Sequence, residues 1–303
     1  MNSKRLYDLI NMDSAEGLLH ETETILQMVF PGYDASPVIK AFQDTMCLYA
    51  GEYPGYQACS TGYHDFQHCG ETLLAMSRLA HGAAAEGIRF PIPALELGLI
   101  AALMHDAGYV QEKDDSIGAG GKHTATHVRR SMDFAAHYGR QNSFTADAII
   151  ACQAMISCTD LEADSDAIAW PSRDVELLGK MLATADLLAQ LADRAHLEKL
   201  FYLYQEFQEG MVRGYNSAED LLRKTIDFYS LADNRFKNKL ESIDRFMAAH
   251  FMQRWGIQDD LYRIAIDNEK AYLLNIMRHE DQEMRRRLRR KGIVEKLSNG
   301  KNN

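Results

Sequence analysis

The chain has 303 residues, 46% of them hydrophobic and 25% charged, and its 43 acidic against 33 basic side chains give a formal net charge of −10. That length admits one large domain or two modest ones, and the composition predicts extended disorder nowhere except the tail, 291–303. The acidic balance argues against a nucleic-acid surface, which needs clustered Lys and Arg to meet phosphates.

The longest apolar stretch, Leu95 to Met104, is about half of the roughly twenty residues a membrane span requires, so no membrane partner is expected. Met1 to Ile10 lacks the apolar block of a secretory signal, which predicts a cytoplasmic location. Five cysteines without C-x-x-C spacing read as reduced thiols and agree with that location.

Helical periodicity runs through the chain, and no run of alternating β-branched residues marks a strand. The fold class is therefore all-α: a compact multi-helix bundle in a single domain. Apolar spacing places helices at 14–29 and 37–50, with Pro31-Gly32 and the stretch Gly51 to Gly62 as breaks. A helix at 65–86 follows. The next, at 93–106, carries Pro93 in its first turn, and Ser116 to Gly121 reads as a flexible loop whose glycines give a mobile rim. Further helices are expected at 121–139, 143–157, 172–192, 194–211 and 217–230, with Ser172 and Ser217 as N-caps. Two more, at 234–254 and 258–290, complete the chain. Residues 60–210 form the chemistry-bearing core, and 211–290 pack on it. The basic run Arg285, Arg286, Arg287, Arg289, Arg290 and Lys291 reads as a solvated helix end or a binding arm.

Three segments carry chemistry. The helix ending in Met104-His105-Asp106 is apolar nearly all round, so it places an imidazole and a carboxylate in the molecular interior. A buried charge of this kind needs compensation, and a divalent cation offsets both groups together. Upstream, Tyr63-His64-Asp65-Phe66-Gln67-His68 sets two histidines four apart, on one face if helix begins there. One such imidazole ligates a metal while the other transfers a proton. In Met181 to Leu188 a single acid, Asp186, interrupts an apolar helix; either a cation or Arg194 partners it, or this stretch of helix is less buried than its neighbours imply. Together the segments offer nitrogen and oxygen donors suited to Zn²⁺, Mn²⁺, Fe²⁺ or Mg²⁺.

These residues resemble the HD-domain superfamily of metal-dependent phosphohydrolases, whose signature is a histidine, a His-Asp doublet and a later aspartate. The segment Tyr63 to His68 is similar to the Tyr-His-Asn-x-x-His signature of its cyclic-nucleotide phosphodiesterase branch, with Asp65 in place of Asn. The resemblance implies that His68, His105, Asp106 and Asp186 hold a first metal, that Asp106 bridges to a second, and that His64 is the general acid. His123 or His127, four apart behind the glycine loop, would add a second-metal or phosphate ligand, with His123 the preferred one. A base-clamping glutamine at Gln205 or Gln208 competes with a solvated polar face.

The expected function is hydrolysis of a small phosphate ester, foremost a nucleotide phosphodiester, by a metal-activated water with one or two divalent metal ions as cofactors. A phosphomonoesterase, a nucleotide pyrophosphohydrolase and a non-catalytic nucleotide sensor are the alternatives. Oligomeric state stays open.

Overall fold

A computed structural model of the chain describes residues 4–299. Among the described residues it is helical throughout, with one isolated bridge between Tyr56 and Glu112 as the sole β-type pairing. Thirteen α-helices follow in order: α1 Ala15–Val29, α2 Ser36–Ala50, α3 Phe66–Ala85, α4 Ile92–Met104, α5 His127–Gln141, α6 Ala146–Ser157, α7 Arg173–Ala192, α8 His196–Glu209, α9 Ala218–Asn238, α10 Phe246–Trp255, α11 Leu261–Ile276, α12 Asp281–Arg287 and α13 Ile293–Asn299. Side-chain oxygens of Ser14, Asp65, Thr145, Ser172, Ser217 and Asp260 cap their helices by accepting backbone N–H bonds, the local signal that starts a helix at each point.

Helix α3 is the axle of the fold. Every residue from His68 to Ala83 is buried, and α1, α4, α7 and α10 pack around it. Such crowding requires small residues at the crossings. A Cβ on Gly82 would lie 1.9 Å from the Phe246 carbonyl oxygen, and one on Gly98 would lie 2.6 Å from Met76 Cε. These glycines let α10 and α4 close on α3. One contiguous apolar core then runs from Leu6 to Val294. No described helix is long and apolar enough to cross a membrane, and all five cysteines are free thiols.

The structure moves several expected boundaries. Helix α5 begins at His127 and not near 121, because residues 120–123 form a separate 3-10 turn. The break expected near residue 232 lies instead at 239–245, where Glu241 and Ser242 adopt positive φ. Long-range ion pairs hold that reversal: Glu241 accepts from Arg173 at 2.7 Å and from Lys180 at 2.8 Å. The single helix expected over 258–290 is interrupted after Ile276, so that Met284 and Leu288 fold back into the core. The tail, expected to be disordered from 291, forms α13 with Ile293 and Val294 buried; residues 300–303 lie outside the described residues. The basic run is largely consumed within the chain, since Arg285 pairs with Glu219, Arg287 with Glu283, Arg290 with Glu269 and Lys291 with Asp13. It clasps the C-terminal helices.

Away from the candidate site, His250 Nδ1 sits 3.1 Å from His81 Nδ1. Burial and the neighbouring Arg78 guanidinium push His250 well below the ordinary imidazole value of 6.5, and burial with Arg254 lowers His81. Both rings are neutral in the folded chain and take up protons on unfolding. Their contribution to stability is therefore complete above about pH 6.5 and is lost as the pH falls below it. Urea unfolding of wild type and His250→Gln at pH 8 and pH 5 checks this, with a smaller pH-dependent loss expected in the variant.

Candidate metal centre

Three helices of the core deliver the donor atoms. Asp65 caps α3 by accepting the backbone N–H of His68 at 2.9 Å, which sets His68 in the first turn facing α7. Helix α4 ends at Met104, so His105 and Asp106 emerge as the chain turns into a 3-10 segment, Ala107–Tyr109. From the middle of α7 comes Asp186.

Their donor atoms converge. His68 Nε2 lies 3.3 Å from His105 Nε2 and 3.0 Å from Asp186 Oδ1. Asp106 Oδ2 lies 3.2 Å from His105 Nε2 and 3.5 Å from His68 Nε2, and Asp186 Oδ1 lies 3.6 Å from His105 Nε2. Around an ion bonded at about 2.0–2.2 Å, neighbouring ligands stand about 3.0–3.5 Å apart, so the spacing suits a common cation. His68, His105 and Asp106 form the group compatible with a metal by mutual distance, and all three are buried. Asp106 Oδ2 is buried without a hydrogen-bond partner among the described residues. His105 Nδ1 donates to the Ala102 carbonyl at 2.8 Å, which makes Nε2 the nitrogen that ligates once its proton is shed. Donor chemistry, spacing and the orphaned oxygen all fit a divalent ion.

Electrostatics couple these groups. Burial opposes a charge on His105, but Asp106 and Asp186 beside it raise its pKa well above the imidazole range. Burial likewise works against an ionised Asp106, yet His105, His64 and His68 hold it well below the ordinary carboxylate value. Asp186 is depressed by His105 and His68 against the same burial cost. Arg194 is not its partner.

His64 precedes the Asp65 cap, so it does not share a helical face with His68 as the four-residue spacing predicts. Its ring meets that of His68 edge-on at 6.3 Å. The partner that fixes it is Glu206 on α8. Glu206 Oε2 stands 2.6 Å from His64 Nδ1 while Oε1 accepts the Tyr63 backbone N–H at 2.7 Å. Burial disfavours the His64 imidazolium, but Glu206, Asp106 and Asp186 outweigh it and raise the pKa. Glu206 is not among the site residues expected from the sequence, where Gln205 and Gln208 beside it are weighed only as a base clamp. The available signal was an acid in register with the buried Lys199 and with Leu203 along α8.

A ring stack completes the centre. His64 lies parallel to Tyr109 at 4.2 Å and 10°, and Tyr109 stacks on His127 at 4.6 Å and 24°. His127 Nδ1 donates to the Thr124 carbonyl at 2.7 Å, and its Nε2 lies 3.8 Å from Asp106 Oδ1. His123 Nε2 binds Asp115 Oδ2 at 3.1 Å, and the imidazole beside Asp106 is His127.

The end of the glycine loop is packed. Gly120 N donates to Ser60 Oγ and Gly121 N to Glu209. A Cβ on Gly121 would lie 2.7 Å from Glu206 Cα, so the glycine lets the loop press against the helix that holds His64. Comparison of the chain with family models, curated proteins and solved structures finds no match in any of the three.

Two outcomes follow from this geometry. Because His105 must shed its proton to ligate, Zn²⁺ or Mn²⁺ should bind more tightly as the pH rises through neutrality, with proton release. Calorimetry in buffers of different ionisation enthalpy reads both. Gly108→Ala would place a methyl 2.0 Å from the His127 carbonyl oxygen, and should lower stability by about 1–3 kcal/mol in thermal melts.

Proposed function

We propose that this chain is a metal-dependent phosphoester hydrolase of the HD type, with a nucleotide phosphodiester as its leading substrate class. The convergence of His68, His105 and Asp106 at ligand spacing, with Asp186 against both imidazoles and a Glu206-His64 pair alongside, carries the reading. The motif resemblance supports the substrate class.

A divalent cation would be held by His68, His105 and Asp106 with Asp186, and would supply a Lewis acid for the phosphoryl oxygens and a lowered pKa for bound water. The remaining work falls to side chains. Glu206 fixes His64 with its proton on Nδ1 and stabilises the imidazolium, so Nε2 is the nitrogen available to reacting groups. Protonated on both nitrogens, His64 gives its Nε2 proton to the departing alcohol oxygen as the ester P–O bond breaks and the oxygen of water bonds to phosphorus. Stacking on Tyr109 prevents the ring from rotating away from that position. His127, with its lone pair on the Asp106 side, provides a further contact for a phosphate-bound cation or for a phosphate hydroxyl.

Asp106→Ala should lose metal and turnover together, read by elemental analysis and by assay with Mn²⁺, Mg²⁺ or Zn²⁺ on cyclic nucleotides, nucleoside monophosphates and triphosphates. His64→Ala and Glu206→Gln should keep the metal and lose about 10²- to 10⁴-fold in kcat. Activity on monoesters or triphosphates with none on any diester would move the substrate class, and an Asp106→Ala protein retaining both metal and turnover would overturn the reading.

A further inference from the structure

Beside His68 lies a small crevice with room for about one water molecule, lined by Tyr63, His68, Glu71, Gln190, His196 and Lys199 among others. Its walls are polar but buried: Glu71 is 3% exposed, His196 1% and Lys199 7%. Both ring nitrogens of His196 are buried without a hydrogen-bond partner. Unmet polar groups around a space that holds a single water are an ordinary setting for internal water.

The four imidazoles of the centre differ in one respect. His64, His105 and His127 each have Nδ1 anchored, to Glu206, Ala102 and Thr124 respectively. His68 has Nε2 directed to Asp186 and His105, while its Nδ1 finds no partner among the described residues. A ligating histidine nearly always donates from its second nitrogen to a carboxylate, a carbonyl or water. One turn along α3, Glu71 accepts from Gln67 Nε2 at 2.8 Å through Oε1, and its Oε2 takes no hydrogen bond from the described residues. Asp193 offers less, because Lys199 Nζ at 2.7 Å and the Ala195 N–H at 2.8 Å occupy its oxygens.

We infer that the crevice binds water that accepts the Nδ1 proton of His68 and donates to Glu71, making Glu71 a positioning residue for the metal ligand. The inference rests on the metal-binding reading above. Glu71 orients the His68 ring and raises the basicity of Nε2 from outside the coordination sphere. Either protonation state of the carboxyl presents an acceptor lone pair, so the bridge does not depend on its charge.

The test is Zn²⁺ affinity by calorimetry, with the melting temperature of the chelator-treated protein as the control for folding. Glu71→Leu removes the acceptor and should weaken Zn²⁺ binding 10- to 100-fold, the usual cost of losing an outer-shell partner. Glu71→Gln keeps a carbonyl acceptor and should stay within a few-fold of wild type. Ala189→Leu fills the crevice from α7 without removing any polar group, and should weaken binding as Glu71→Leu does. It also decides the matter if Glu71→Leu does not fold. A folded Ala189→Leu or Glu71→Leu protein with wild-type affinity would overturn the inference while leaving the metal reading intact. Wild-type protein that binds neither Zn²⁺ nor Mn²⁺ would overturn the metal reading, and the inference with it.

Discussion

The centre is organised around the cost of keeping Asp106 inside the protein. Its side chain is 3% exposed, and Oδ2 is left without a hydrogen bond. An ionised carboxylate in that position costs several kcal/mol unless opposite charge or donors meet it. Three consequences follow in the fold. Helix α3 must bring His68 to the carboxylate, α4 must stop at Met104 so that His105 can turn toward it, and α7 must accept an acid, Asp186, in an otherwise apolar stretch. Two carboxylates facing two imidazoles leave the cluster short of positive charge, which the raised pKa of His105 expresses as a held proton. A divalent cation satisfies the same deficit.

Close helix contacts make this convergence attainable. Gly98 admits Met76 to the surface of α4 and Gly82 admits the start of α10 to α3, so helix axes approach where larger side chains would separate them. His68 and His105 face each other at 3.3 Å across the α3–α4 contact. Glycine does similar work in the loop before α5, where Gly121 fits against Glu206. There its value is steric access to a neighbouring helix.

Much of this is legible in residue order. A charge interrupting an apolar helix is conspicuous, which is why His105, Asp106 and Asp186 stand out in the bare sequence, and the capping residues Ser172 and Ser217 announce their helices. What residue order leaves open is set by docking between helices and by local turn geometry. Glu206 lies in a polar stretch, Tyr204 to Gln208, that resembles a solvated face until α8 is docked against residues 62–64. His123 and His127 are equivalent by spacing, and only the 3-10 turn at 120–123 separates them. The reversal at 239–245 hangs on Arg173 and Lys180, some sixty residues away.

The turn from His105 to Tyr109 combines two duties within five residues. Asp106 presents its oxygens to the donor cluster, and Tyr109 enters between His64 and His127, while Gly108 seats the turn against the His127 carbonyl. The backbone of this turn therefore acts as one lever with two loads. A shift that repositions the carboxylate also changes the tilt of both stacked imidazoles, so cation grip and proton-donor alignment cannot be adjusted separately. Tuning either one independently requires changes elsewhere: at Glu206 for the acid, or on the His68 side for the grip.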